Sequence, residues 1–287
     1  MAQSPSHRFG QIIGEVLEAA IRGPLEDLCR RHGLFLDSKH PRAARNGLRK
    51  VAWKDLNGNT HDLDYVIERG GSDDVVGSPK AFIEIAWRRY TKHSRNKVQE
   101  IQGAISPLAE TYSEFHPFLG VVLAGVFTEG SLTQLRSHGF RVLYFPYDNV
   151  VSAFATVGIN AAFDEGTPDR DVARKVAQFS KLSSQKKLRI AGSLREQHAS
   201  DLAAFVAALE VSLNRSIVAV LVLPLHGQSH ELSDPKAAIA FLKSHEPTDV
   251  VHQFVRYEIS IRFNNGDEIR GQFQAREGAI EFLETLR

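Results

Sequence analysis

The stretch FLGVVLAGVF, residues 118–127, contains no charged or polar side chain. A strand with one wet face alternates apolar and polar positions. A run apolar at every position belongs to a strand covered on both sides, as in sheets flanked by helices. The neighbouring segments agree with that reading. SLTQLRSHG reads as a helix closed by Gly139, FRVLYFPY as the next strand, and residues 150–157 as a further helix.

Upstream, Phe9, Ile12, Ile13, Val16, Leu17, Ala20 and Ile21 keep the spacing of a core-facing helical stripe. Gly23-Pro24 predicts a break or bend in that helix, and Gly33 a stop. LRKVAWKD and THDLDYVIE flank the turn Leu56-Asn57-Gly58-Asn59, which predicts a β-hairpin over residues 48–68. Residues 80–88 read as another strand. Ser94 is then the expected cap of a helix carrying Val98, Ile101, Ile105 and Leu108. The order predicts an α/β domain over residues 1–165, a mixed central sheet flanked by helices, ending near AAFDEGTPDRD.

Residues 170–287 predict a smaller C-terminal α+β domain. RDVARKVAQFSKL and ASDLAAFVAALEVSL read as helices joined by a basic connector, SSQKKLRIAGS. Two similar strand–hairpin–helix units follow. Their ends match best, KAAIAFLKS against EGAIEFLET, and Asn264-Asn265-Gly266-Asp267 marks the second hairpin turn. Dimerisation or DNA recognition is the expected role of this part.

With 43% hydrophobic and 24% charged residues, disorder and collagen-like repeats are excluded. No run approaches the roughly 20 apolar residues that span a bilayer. MAQSPSHRFG lacks an apolar signal core, so the expected location is cytoplasmic, without a membrane partner. The single cysteine, Cys29, lies on an apolar helix face and reads as a small core residue. The histidines show no metal-ligand spacing; His226 and His230 are four apart, but Gly227 and Ser229 speak against a helix there. No GxSxG elbow, Walker loop or GxGxxG loop occurs. Tyr144-Phe145-Pro146-Tyr147 reads as strand packing.

A net charge of +1 conceals an uneven distribution. Residues 39–54 hold six Lys or Arg and no acid, and residues 87–97 hold five more, again with no acid. Two such segments predict an anionic partner on one face. Several acids lie between them, some within the strands read above. In extended strands alternate side chains share a face, so Asp62 and Asp64 point one way in HDLDYVIE, and Glu84, Ala86 and Arg88 one way in AFIEIAWR. If those strands pair, Asp64 and Glu84 converge at one sheet edge, and each needs a cation. An oxygen-only pair suits Mg²⁺.

The N-terminal helix, the strand Leu63-Asp64-Tyr65-Val66-Ile67, the strand Phe82-Ile83-Glu84-Ile85-Ala86 and the helix after it resemble the PD-(D/E)XK nuclease superfamily, in particular type II restriction endonucleases. The resemblance covers residues 9 to about 150 and implies a restriction-endonuclease-like mixed sheet. It implies Mg²⁺ held by Asp64, Glu84 and the backbone carbonyl of Ile85. Glu15, on the first helix, and Asp62 are further candidates for the metal shell. Leu63 replaces the family's proline.

Ala86 stands where the family has the lysine that orients the attacking water. The expected substitutes are Lys97 or Lys92 for the water and Arg88 for a phosphate. An arginine stays charged and cannot be a general base. Arg42, Arg45, Arg49, Lys50, Arg89 and Arg95 are the expected DNA-backbone contacts. The loop 38–50 and Arg262, Asn264, Asn265 and Arg270 are candidates for base recognition. The implied activity is Mg²⁺-dependent hydrolysis of phosphodiesters in double-stranded DNA by a homodimer. Two alternatives stay open. One is a catalytically decayed DNA-binding or assembly protein on the same fold. The other is a repair or defence nuclease acting on ends or modified DNA.

Overall fold

The computed structural model describes residues 4–224, 228–245 and 254–286. The chain forms two compact units, Met1–Glu210 and Val211–Arg287.

The first unit opens with α1 (Pro5–His32). The Ser4 hydroxyl accepts the His7 N–H at its start, and Gly33 closes it at φ +62°, where a glycine carries no steric penalty. Of the break or bend expected at Gly23-Pro24, the break does not occur: the helix runs through Pro24. A proline inside a helix costs about 3 kcal/mol. Leu25 and Leu28 continue the apolar stripe and are almost wholly buried. Each such burial is worth about 1.5–3 kcal/mol, so the two offset the proline.

A short strand not anticipated from the sequence, β1 (Phe35–Ser38), comes next. Then follow β2 (Val51–Lys54), β3 (Thr60–Leu63), β4 (Tyr65–Arg69) and β5 (Ser78–Arg88). After them come α2 (Thr91–Thr111), β6 (Phe118–Gly125), α3 (Glu129–Ser137), β7 (Arg141–Pro146) and α4 (Tyr147–Ala155). The central sheet is mixed, with order β1-β4-β5-β6-β7. β4 is antiparallel to β1 and β5, whereas β5–β6 and β6–β7 are parallel. Val121 and Leu123 of β6 share a core with Val98, Ile101 and Ile105 of α2 and Leu132 and Leu135 of α3. The alternate residues Val122 and Ala124 are equally buried, and α4 packs on the same strand. The run at 118–127 is therefore covered on both faces, as its composition requires.

The predicted hairpin at 48–68 is only half a hairpin. β2 and β3 pair from Lys54↔Thr60 to Val51↔Leu63, and the chain then bends at Asp64 and enters the central sheet as β4. The Asp55 carboxylate organises the turn, accepting the N–H groups of Asn57 and Asn59, each at 2.9 Å, and contacting His61 Nε2 at 2.9 Å. The bond to His61, reinforced by Asn59 and Asn57, holds Asp55 down at about 2. Ser94 does not cap α2. That helix starts at Thr91, and the buried Ser94 hydroxyl donates to the Thr91 carbonyl. Tyr144 and Tyr147 serve packing: their hydroxyls donate to the carbonyls of Gly125 and Phe163.

The expected domain break at 165–170 is displaced to 210/211. α5 (Asp169–Ser180) and α6 (Ser184–Gln197) pack on α1, so they belong to the first unit. The segment read as a basic connector is α6 itself. Ser183 caps it, and Ile190, Ala191 and Leu194 form its buried stripe. The division falls within the last turn of α7 (Ala199–Leu213). Among the described residues, no helix is long and apolar enough to cross a membrane.

The second unit contains β8 (Ile217–Pro224), β9 (His230–Leu232), α8 (Pro235–Ser244), β10 (Tyr257–Phe263), β11 (Glu268–Phe273) and α9 (Arg276–Glu284). Its antiparallel sheet has the order β11-β10-β8-β9, so the two similar units meet through β8 and β10. Their matched positions do matched work. Ala238 and Leu242 of α8, and Ala279 and Leu283 of α9, are all buried against Val220, Val222, Ile259 and Ile261. Of the histidine pair at 226 and 230, His226 lies outside the described residues; the His230 ring sits 4.3 Å from that of Phe241.

Candidate active site

The β4–β5 ladder runs through Tyr65↔Ile83. Extended by one step, that register sets Asp64 against Glu84, close enough for the Asp64 charge to act on the Glu84 carboxyl. Directly opposed side chains of an antiparallel pair share a face, with Cβ atoms about 4.5–5.5 Å apart. The ladder stops there because Asp64 lies in the bend, and its carboxylate replaces the missing backbone partner. Asp64 Oδ2 accepts the Ile85 N–H at 2.7 Å. A strand residue's N–H and C=O point to the same side, so the Ile85 carbonyl faces the Asp64 edge as well.

Four further charged groups complete the cluster. Lys97 Nζ, on α2, lies 3.2 Å from Glu84 Oε1 and 2.7 Å from Glu100 Oε1. Lys39 Nζ, just after β1, lies 2.5 Å from Asp64 Oδ1 and 3.6 Å from Glu18 Oε1 on α1. Burial first, then the Asp64 charge, pushes the Glu84 carboxyl up to about 7, against the pull of Lys97 and Lys39. Burial also raises Glu18. For Lys39, burial works downward, but Asp64, Glu18 and Glu84 outweigh it and the ammonium is held above its ordinary value.

Ala86 is part of the hydrophobic core with Val98 and Ile101 of α2. A charged group on that strand position would enter the core. Lys97, one residue before Val98, instead brings an ammonium to Glu84 from the helix side. The side chain of Lys92 lies outside the described residues. Arg88 donates to the Trp87 carbonyl at 2.8 Å and lies 3.8 Å from Glu100 Oε2. Gly125 fixes this strand end. It sits at φ +102°, where a Cβ would stand 2.1 Å from the Arg88 carbonyl oxygen, and Val126 N–H donates to that same oxygen.

A cleft of about 700 Å³ opens beside Lys97, lined by Gly10 and Gly14 of α1, Ile85 to Tyr90, and Asn96. At Gly14 an added Cβ would meet nothing within 4 Å, so α1 presents a bare wall there.

Several expected site residues are elsewhere. Glu15 is exposed and pairs with Arg8 at 3.0 Å; the first-helix acid that reaches the cluster is Glu18, one helical turn on. Asp62 belongs to the β2–β3 hairpin and pairs with Lys50 in solvent. Arg42 is buried, bonded to both Glu68 oxygens at 2.6 and 2.9 Å and 2.8 Å from Asp37. Arg45 lies 3.2 Å from Asp37 and donates to the carbonyls of Lys50, Ser38 and His40. Arg89 donates to the Phe163 carbonyl, with its guanidinium 4.0 Å over the Tyr147 ring. The side chains of Arg42 and Arg45 are buried, hold the fold together and are not presented to a DNA backbone, whereas Arg89 is half-buried and lines the cleft.

Arg49 and Arg95 are exposed, and Lys50 keeps its ammonium in solvent beside Asp62. In the second unit, Arg262 and Arg270 pair with Glu231 and Glu268. Asn264 and Asn265 close turns through Ser216, Asn214 and Asp267. The signal for Glu18 was its place at the rim of the apolar stripe; Lys39 was marked only as one of the basic residues of segment 39–54, not as a partner of Asp64.

The cluster suits a hard divalent cation in its chemistry. Its donors are all oxygens, two carboxylates are opposed, and a lysine ammonium is already drawn to them. Among the described residues, no three His, Cys, Asp or Glu side chains are gathered tightly enough to cage an ion. Mg²⁺ does not require a cage, since it takes one or two carboxylates together with waters and substrate phosphate.

No family model matches the chain, and no curated protein is similar to it. One solved structure overlaps it, the crystal structure of a protein of unknown function, AF1548. The TM-score is 0.26 at 12% identity, over 65% of this chain and 98% of that one. A likeness that weak carries no argument about fold or function.

Proposed function

We propose that the first unit is a Mg²⁺-dependent DNA endonuclease domain of the PD-(D/E)XK type, with a restriction-endonuclease-like sheet. The observation that carries this reading is the Lys97 ammonium, 3.2 Å from Glu84, which supplies from α2 the charge that Ala86 lacks. The order α1, antiparallel β4–β5, parallel β6–β7, with acids where β4 begins and in the middle of β5, supports the same reading.

Asp64, Glu84 and the Ile85 carbonyl would hold Mg²⁺. Bound there, the ion would polarise a phosphoryl oxygen and lower the pKa of water. The Ile85 N–H keeps the Asp64 carboxylate turned toward Glu84. Lys97 places a positive charge where an attacking water or a developing negative charge would sit. Arg88, at the mouth of the cleft, takes a neighbouring phosphate, and exposed Arg49, Lys50 and Arg95 add backbone contacts. Hydrolysis of double-stranded DNA to a 5′-phosphate by a homodimer in the cytoplasm completes the proposal. Two active sites are the simplest way to cut both strands of a symmetric site.

The test is incubation with mixed-sequence plasmid and Mg²⁺. Discrete fragments that disappear in Asp64→Ala, Glu84→Ala and Lys97→Ala are expected. Tight DNA binding without cleavage by the unmodified protein would favour the decayed-site reading, to which Ala86 points. Smeared products, or cutting that depends on modified bases, would favour a repair or defence nuclease.

A further inference from the structure

Lys39 occupies the centre of the carboxylate cluster in an unusual way. Its backbone is fixed: Ser38 pairs with Tyr65 in the β1–β4 ladder, Arg22 donates to the Ser38 hydroxyl at 3.1 Å, and the His40 ring contacts the Ser38 carbonyl at 2.8 Å. Its side chain is 51% exposed, whereas that of its partner Asp64 is 10% exposed. A four-carbon stem therefore carries a half-exposed charge outward from the end of β1. The oxygen it holds, Asp64 Oδ1, is the one left once Oδ2 has accepted the Ile85 N–H. That is the oxygen a divalent ion would use, at about 2.0–2.1 Å for Mg²⁺.

Resting on the metal-site reading above, we propose that Lys39 is a built-in counter-ion that competes with the divalent cation for Asp64. A DNA phosphate brought to the ion at Asp64 draws the half-exposed lysine away, so that metal and substrate bind together. Two cations cannot share one carboxylate oxygen without mutual repulsion, and a phosphate offers the ammonium an anionic partner of equal quality. The lysine thus links metal affinity to the presence of nucleic acid, and the linkage is reciprocal.

The experiment measures Mn²⁺ binding from the free-ion EPR signal. It compares wild type, Lys39→Met, Lys39→Gln, Lys39→Arg and Asp64→Asn, with and without a phosphorothioate duplex whose own Mn²⁺ uptake is subtracted. Without DNA, Lys39→Met and Lys39→Gln are expected to bind about tenfold more tightly than wild type, within the usual range of coupling between sites. Lys39→Arg stays close to wild type. The duplex tightens binding in every protein that keeps Asp64, through the phosphate oxygen it offers the ion, but by a clearly larger factor in wild type than in the two neutral variants.

Equal affinities in wild type and both neutral variants, with binding lost in Asp64→Asn, overturn the role of Lys39 and leave the metal site standing. Absence of Mn²⁺ binding in every protein, with and without DNA, overturns both.

Discussion

Replacing Arg42 with alanine tests the buried charge network beside the site. Arg42 is 1% exposed, and its partners Asp37 and Glu68 are each 0% exposed. Besides Glu68, the guanidinium donates to the carbonyls of Ser72 and Val75 at 2.9 and 2.7 Å, tying the loop after β4 to the sheet. Glu68 is also held by the Gly77 N–H at 2.6 Å, so it cannot turn outward to reach water.

Removing one partner of a buried ion pair costs about 3–5 kcal/mol, because a charge is left uncompensated. Arg45 remains on Asp37 and moderates the loss there. Arg42→Ala should therefore lower the unfolding free energy of the first unit by about 4 kcal/mol at pH 7. For a unit of that size this is a fall of about 8–16 °C in melting midpoint.

The deficit should also depend on pH. Burial raises the Asp37 pKa even in the wild type, despite Arg42 and Arg45. An acid whose folded pKa exceeds its unfolded value stabilises the fold at low pH and loses that contribution as pH rises. Without Arg42 the effect grows, so the gap between variant and wild type should narrow as the pH falls toward the acid range. Urea unfolding followed by circular dichroism at pH 7 and pH 5 reads both numbers. A loss below about 1 kcal/mol, in the range of a surface ion pair, would refute the argument.

Glu84→Gln should stabilise the metal-free protein while abolishing cleavage. The Glu84 carboxyl is raised from 4.5 to about 7, so its contribution is present below 4.5 and lost as pH rises through 7. At about 1.4 kcal/mol per pH unit, the variant should exceed wild type by up to about 3 kcal/mol at pH 8 in EDTA, with the gap closing near pH 4.5. An unchanged gap across that range defeats the assignment. Lys97→Ala should reduce plasmid cleavage by about 10²–10³-fold, the usual loss for a single charge-stabilising donor, and Arg88→Ala should affect binding more than turnover. Cys29, buried and pushed up to about 12 chiefly by that burial, should resist a thiol reagent at pH 8 until urea unfolds the chain. Rapid labelling of the native protein would contradict its placement in the α1 core.

Burial patterns were legible in one dimension because they repeat locally. The run at 118–127, the stripe from Phe9 to Ile21 and the matched segments at 236–244 and 277–285 each carry their own period, and the structure buries them as that period demands. Asp64 and Glu84 could be singled out for a related reason, since acids inside apolar strands need a partner. Charge pairing is not local, and there the reading from residue type went astray. The basic segment 39–54 looks like one solvated face, yet Arg42 and Arg45 turn inward because Asp37 and Glu68, on β1 and β4, are brought beneath them.

Glu18 rather than Glu15 joins the cluster because it lies one turn further along α1, within reach of Lys39, while Glu15 pairs with Arg8. Lys39 reaches Asp64 only because the β1–β4 pairing sets Ser38 beside Tyr65. Periodicity along the chain names the elements and the sides they bury. Which charges meet depends on contacts between different elements of the fold, and folding alone makes those contacts.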